Sequence, residues 1–203
     1  MAFGPQGYKQ VIACIRKQGV LYNTYTTSKS MLNSATAVVD VSDQIPLLPA
    51  GFWYPGKKVI INFVAGISNR VTGPDTFTVE VKGGPTANIV IFTTGAITLT
   101  TTAHTTIPLW GEIHLTCDTA GNGTLAKLRG QARLSGQMIQ QGGTAAADSA
   151  TLSNTILMPN TAPALGTGFD SSVQTQIDLW VAQSVSNAGN GFQLWEYEVV
   201  DCN

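Results

Sequence analysis

Glu112 and His114 stand two residues apart in Ile-Pro-Leu-Trp-Gly-Glu-Ile-His-Leu-Thr-Cys, with His104 a little upstream. On a β-strand that spacing sends both side chains to one face, and a carboxylate beside imidazoles is raw material for a metal site or a general base. The chain adds nothing further to either chemistry. There is no zinc-type His or Cys spacing, no G-x-S-x-G around a serine, and the twelve acidic residues show no pairing of the kind sugar cleavage needs. The pair reads as a solvated strand face, and no enzyme, metal or cofactor is expected.

Gly121-Asn122-Gly123-Thr124-Leu125-Ala126 matches the dinucleotide pattern G-x-G-x-x-A. That mechanism needs a helix next, so that its N-terminus can meet a pyrophosphate. Here Ala126, Leu128, Gly130, Ala132 and Leu134 alternate with Lys127, Arg129, Gln131 and Arg133, which is the period of a strand. A hairpin turn is the expected structure. Lys127, Arg129 and Arg133 then form a basic stripe on one face, either a solvent face or a pairing surface for an acidic neighbour. The tryptophans carry more information. Trp110 and Trp180 each oppose the apolar parity of their strands, so each belongs to a second buried layer or to an interface.

The elements that must position these residues are strands. Ala37, Val39 and Val41 alternate, and residues 44–56 hold Pro46, Pro49 and Pro55, which read as a crossing loop with Phe52, Trp53 or Tyr54 beneath it. Strand patterns follow at Lys58 to Ile67, Thr76 to Lys82, Ala87 to Thr93, Ala96 to Thr102 and Ile107 to Cys117. The last of these has Ile107, Leu109, Ile113, Leu115 and Cys117 inward, and Trp110, Glu112, His114 and Thr116 outward. Residues 137–174 read as long loops around one short strand at Thr155 to Met158. The segment Gln176 to Cys202 reads as a long hairpin turning on Ser-Asn-Ala-Gly-Asn-Gly, with a β-bulge or a doubly covered strand where the apolar parity shifts at Trp195. The fold class is therefore all-β, an antiparallel β-sandwich, with a jelly roll as its wiring. Residues 36–203 make the sandwich domain. Residues 1–35 make an N-terminal arm, or an extra hairpin turning at Gln18-Gly19.

Only 11% of the 203 residues are charged and the formal net charge is -1. This gives no electrostatic footprint for nucleic acid or anionic lipid. A neutral polar surface loses little on being covered, so it suits subunit contacts as well as it suits an ordinary soluble β-protein. No apolar run reaches the ~18 residues of a membrane span, and Met1 to Lys17 lacks the core of a secretion signal. Folding in the cytoplasm of the producing cell is expected, with Cys14, Cys117 and Cys202 reduced, and with Cys14 and Cys117 buried.

Ile-Pro-Leu-Leu-Pro-Ala-Gly-Phe-Trp-Tyr-Pro-Gly-Lys-Lys-Val-Ile-Ile-Asn-Phe-Val-Ala-Gly-Ile-Ser resembles a segment of small structural proteins of tailed bacteriophages. Ile-Pro-Leu-Trp-Gly-Glu-Ile-His-Leu-Thr-Cys-Asp-Thr-Ala-Gly and Ile-Asp-Leu-Trp-Val-Ala-Gln-Ser-Val-Ser-Asn are similar to further parts of the same pattern. The resemblance covers roughly residues 40–202 and carries no catalytic motif. It implies a jelly roll that decorates or cements a capsid, with the major capsid protein as partner, the virion surface as location and a homo-oligomer, a trimer, as assembly. A receptor- or glycan-binding module of a head or tail fibre is the alternative. On this reading Phe3, Tyr8, Trp110, Trp180, Trp195 and Tyr197 form the subunit or capsid interface.

Overall fold

A computed structural model describes residues 10–15, 19–22, 29–32, 45–69, 75–140, 153–163, 165–185 and 187–202. Phe3, Tyr8 and the strand expected at Ala37, Val39 and Val41 lie outside them, as does the side chain of Cys14. Among the described residues there are thirteen strands and no helix. They are β1 (Gln10–Ile15), β2 (Gly19–Tyr22), β3 (Lys29–Ser30), β4 (Leu47–Leu48), β5 (Lys58–Asn69), β6 (Thr76–Gly84), β7 (Ile89–Thr93), β8 (Ile97–Thr98), β9 (His104–Thr119), β10 (Lys127–Gly136), β11 (Asn154–Met158), β12 (Thr175–Gln183) and β13 (Gly191–Asp201). The larger sheet runs β1-β13-β5-β9-β10-β11, with β2 also on β13. The smaller runs β3-β12-β6-β7, with β4 on β12 and β8 on β6.

Two-residue alternation makes this arrangement a sandwich. Val59, Ile61, Phe63 and Ala65 of β5 and Ile113, Leu115 and Cys117 of β9 are buried, and so are Phe77, Val79 and Val81 of β6 and Ile177, Leu179 and Val181 of β12. Each sheet thus has one apolar face, and the two faces bury each other. Phe192 of the larger sheet stacks on Phe77 of the smaller at 5.6 Å between ring centroids, crossing the core. Gly130 faces inward with the Phe92 ring of β7 lying where its Cβ would be, so glycine there lets the sheets close. The antiparallel β-sandwich expected from sequence is what the chain forms. Its chain path crosses between sheets at β2–β3, β4–β5, β5–β6, β8–β9, β11–β12 and β12–β13, and this strand order, rather than a named topology, is what the structure establishes.

The hairpin expected from Gln176 to Cys202 does not form. β12 pairs with β6, and β13 pairs with β5 in the other sheet. The apolar faces of the two strands meet across the core instead of lying side by side, which satisfies the same parity pattern. The parity shift at Trp195 is a β-bulge: the β13–β5 register slips between Leu194 and Glu196, so Phe192 and Leu194 before it and Tyr197 and Val199 after it all face the core.

The chain's first segment is neither a hairpin nor a free arm where it is described. β1 pairs with the Tyr197–Asp201 half of β13 and β2 with its Gly191–Leu194 half, both antiparallel, so they run in line along one edge. β3 then pairs with β12 in the smaller sheet, and Met31 and Leu32 are fully buried. This segment straps the side of the sandwich on which β12 and β13 would otherwise be edges. The proline-rich crossing loop behaves as expected at Trp53, which is buried edge-on to Phe169, while Tyr54 is exposed.

A buried carboxylate fixes the crossing from β12 to β13. Asp75 accepts hydrogen bonds from Ser184 Oγ (2.8 Å), Val185 N (3.3 Å) and Asn190 Nδ2 (3.0 Å). Gln183 Nε2 donates to Ser68 O at 2.9 Å beside it. Burial raises the Asp75 carboxyl above the usual carboxylate value, and the donors from Ser184 and Val185 offset that only in part. A raised acid favours folding while protonated, so this contribution is complete below the unfolded value and is lost as pH rises through the raised one. The stability advantage of wild type over Asp75→Asn should therefore shrink as pH rises across that window in thermal melts, and a difference independent of pH would contradict the assignment.

Candidate interaction surfaces

The outer face of the larger sheet gathers most of the chemistry. Register places Glu198 beside Asn62, Asn62 beside Glu112, and Glu112 beside Arg133, one row across β13, β5, β9 and β10. The next row is Glu196, Val64, Trp110 and Ser135. Together they bound a groove of about 380 Å³ lined by Asn62, Val64, Trp110, Glu112, Glu196 and Glu198. Asn62 Nδ2 donates to Glu198 Oε2 at 3.1 Å, and His114 Nε2 and Glu112 Oε1 are 2.9 Å apart. The Arg133 guanidinium lies 5.4 Å from the centre of the Trp110 ring, a cation–π contact. The bulge turns Trp195 outward onto this face, where its ring lies over Gly66.

The other end of the same face is basic. Lys58, Thr116 and Arg129 share a row, and Lys127, Arg129 and Arg133 are all exposed, as the sequence pattern predicts. Arg129 donates to Asp118 Oδ1 at 3.1 Å and to Pro163 O at 3.2 Å.

Trp180 sits on the opposite side of the molecule, on the outer face of the smaller sheet. Its indole N–H donates to Asp178 Oδ2 at 2.7 Å, and the same oxygen accepts from Ser30 Oγ at 2.6 Å. Lys82 Nζ stands 3.7 Å above its ring centre, and Glu80 lies 3.6 Å from that ammonium. Strand, strap and cation already occupy this tryptophan. Tyr197 is a correction: the bulge returns it to the inward parity, and it is 0% exposed inside the chain's own core, so its ring is no surface anchor. Burial, and after it the charge of Asp178, raises its phenol well above the ordinary value.

A third surface is one end of the sandwich, where three loops are stitched together. Gly51 N donates to Ser171 O, Ser171 N to Gly121 O, and Gly56 N to Cys117 O. These loops carry Tyr54, Leu125 (61% exposed) and Val173, with Leu47 of β4 close by in the chain, all large apolar side chains facing solvent.

The alternative chemistries do not assemble. His104 and His114 lie toward opposite ends of β9, about 33 Å apart for ten residues of strand. Among the described residues no three His, Cys, Asp or Glu side chains converge to hold a metal ion. Residues 121–126 form the β9–β10 turn, with positive φ at Gly123, and β10 follows where a nucleotide site needs a helix. Cys117 is buried, and burial with the neighbouring charge of Asp118 pushes its thiol up to about 11. Sequence reasoning missed Glu196, Glu198 and Asn62. Their signal was present in the alternation of Glu196 and Glu198 with Tyr197 and Val199, but only if the bulge is placed first.

No family model matches this chain, and no curated protein matches it in sequence. The geometry therefore carries the functional argument.

The two outward tryptophans differ in how firmly they are held, and stability should report it. Trp180→Phe removes a hydrogen bond to a buried carboxylate and should cost roughly 1–2 kcal/mol in urea unfolding. Trp110→Phe keeps the ring under Arg133 and should change stability by less than about 0.5 kcal/mol. Equal costs would show that Trp180's indole bond contributes nothing.

Proposed function

We propose that this protein is a non-enzymatic structural component of a virion, a capsid decoration or cement protein that binds the outside of the shell and stabilises it. The observation that carries this reading is the apolar end of the sandwich. A chain that buries its core this completely still presents Leu47, Tyr54, Leu125 and Val173 at or beside one set of interlocked loops. Scattered exposed apolar residues are ordinary, whereas several at one end suit a contact with another protein. The low charge supports it, because few ions need be desolvated on docking, and so does the resemblance in residues 40–202 to structural proteins of tailed phages.

The mechanism is additive. Each copy lays its apolar end on the major capsid protein, and an oligomer, a trimer on the strength of the resemblance, multiplies modest contacts into firm attachment across capsomers. The strap formed by β1, β2 and β3 suits that mechanical role, since it ties both sheets together at their shared edge.

A second reading has its own observation. The groove beside Trp110 combines an aromatic wall with carboxylate and amide groups, which suits a receptor- or glycan-binding module of a head or tail fibre.

Binding of the purified protein to shells stripped of it distinguishes these. Wild type should cosediment with shells, and replacing Tyr54, Leu125 and Val173 together by Ser should weaken binding at least tenfold, about 1.4 kcal/mol. Absence of the protein from purified virions would overturn the proposal. Binding of a neutral glycan, lost on Trp110→Ala, with shells left unbound, would establish the second reading in its place.

A further inference from the structure

The chain contains the dipeptide Asn-Gly twice, at Asn122-Gly123 and at Asn190-Gly191. In such a pair the glycine backbone nitrogen can attack the asparagine side-chain carbonyl, because glycine has no Cβ to hinder the approach. The fold gives the two copies opposite surroundings. Asn190 is fully buried, and its Nδ2 donates to Asp75 Oδ2 and to the Val185 carbonyl, both at 3.0 Å. Gly191 is held in β13, opposite Ser68 of β5 and Tyr22 of β2. Neither partner in that pair moves until the crossing from β12 to β13 opens. Asn122 stands at the tip of the β9–β10 turn, where Asn122, Gly123, Thr124 and Leu125 are exposed in succession. The turn presents the pair firmly: Gly121 N donates to Ser171 Oγ at 2.9 Å, and Leu125 N to Asn122 O at 3.2 Å. The Gly123 N–H donates to the partly exposed carboxylate of Asp170, a bond that water replaces at little cost.

We infer that Asn122 is a site of spontaneous deamidation, a covalent change written into the apolar end of the sandwich, and that the fold protects the identical pair at Asn190. Gly123 N loses its proton to hydroxide and bonds to Asn122 Cγ. The Cγ–Nδ2 bond breaks, and ammonia leaves with a proton taken from water, which regenerates the hydroxide. One water then opens the cyclic imide, at Cγ to give aspartate or at the main-chain carbonyl to give isoaspartate. The balance is one water in and one ammonia out, with no oxidant or reductant. Both products place a new carboxylate in the turn that carries Leu125, one residue from the N–H that Asp170 holds. Each event adds a negative charge to a chain whose formal net charge is -1, so few groups could alter this surface more. Isoaspartate also lengthens the turn backbone by one carbon, which shifts Leu125 against the loops stitched to Ser171. That this weakens docking on a shell rests on the function proposed above; the modification itself does not.

Peptide mapping by mass spectrometry of the full chain, sampled during incubation at mildly alkaline pH, tests the site. The Asn122 peptide should gain the mass of the amide-to-acid change at least about tenfold faster than the Asn190 peptide, since Asn190 must first break two buried hydrogen bonds. In concentrated urea the two rates should converge, because the unfolded dipeptides are alike. Anion exchange should resolve a more acidic species that grows in step with the Asn122 signal, and Asn122→Ser should remove that species while keeping the melting temperature. Asn122 reacting no faster than Asn190 in the folded protein overturns the inference, as does a rate difference that survives unfolding unchanged. On the function proposed above, the acidic species should bind shells more weakly than fresh protein, and equal binding would overturn that consequence. Fresh protein that binds no shell would count against the proposed function, with the two rates still deciding the site.

Discussion

A buried carboxylate sets the constraint on which the rest of this fold depends. Asp75 stands at one end of the sandwich and collects donors from Ser184, Val185 and Asn190, so the chain leaving β12 turns across the end of the core and enters the other sheet. Burying a carboxylate is costly unless it is well hydrogen-bonded, and its raised affinity for a proton indicates that desolvation still outweighs the bonds. What this cost secures is direction. Because the crossing sends β12 and β13 to facing sheets, their free edges lie on the same side, and the chain's first segment can close both, β1 and β2 on β13 and β3 on β12. The bulge at Trp195 follows the same logic: it lets one long strand keep its apolar residues inward along its whole length while turning a tryptophan out onto the surface.

Much of this was legible as alternation. In β9 and β10 the inward and outward sets fall as their two-residue period predicts, because burial of one face is a property each strand carries in its own sequence. The partner of a strand is not such a property. Ile177, Leu179 and Val181 have the same parity whether β13 lies beside them or across from them, so the expected hairpin and the observed crossing are equivalent at the level of pattern. The deciding information was long-range and polar: an aspartate one hundred and nine residues from the serine it binds. Tyr197 failed for a related reason. The parity change at Trp195 was visible, but whether it marked a second buried face or a bulge depends on the register with β5. Once the bulge is known, Tyr197 belongs to the core and Glu196 and Glu198 to the surface.

The surface follows from scarcity of charge. With so few ionic side chains, their placement has more effect than their number. The smaller sheet uses Lys82, Glu80 and Asp178 to hold Trp180 in place. The larger sheet sets Glu112, Glu196 and Glu198 around the groove beside Trp110, lays Arg133 over that ring and pairs Arg129 with Asp118 toward its other end. The apolar end formed by the loops around Ser171 is a third surface with a different character.

The most direct measurement is a density map of the intact particle at a resolution that shows side chains. The account predicts this chain on the outer surface, with Leu47, Tyr54, Leu125 and Val173 against the shell. A particle without the chain, or one in which the sandwich end with Tyr54 and Leu125 faces open solvent, would contradict it.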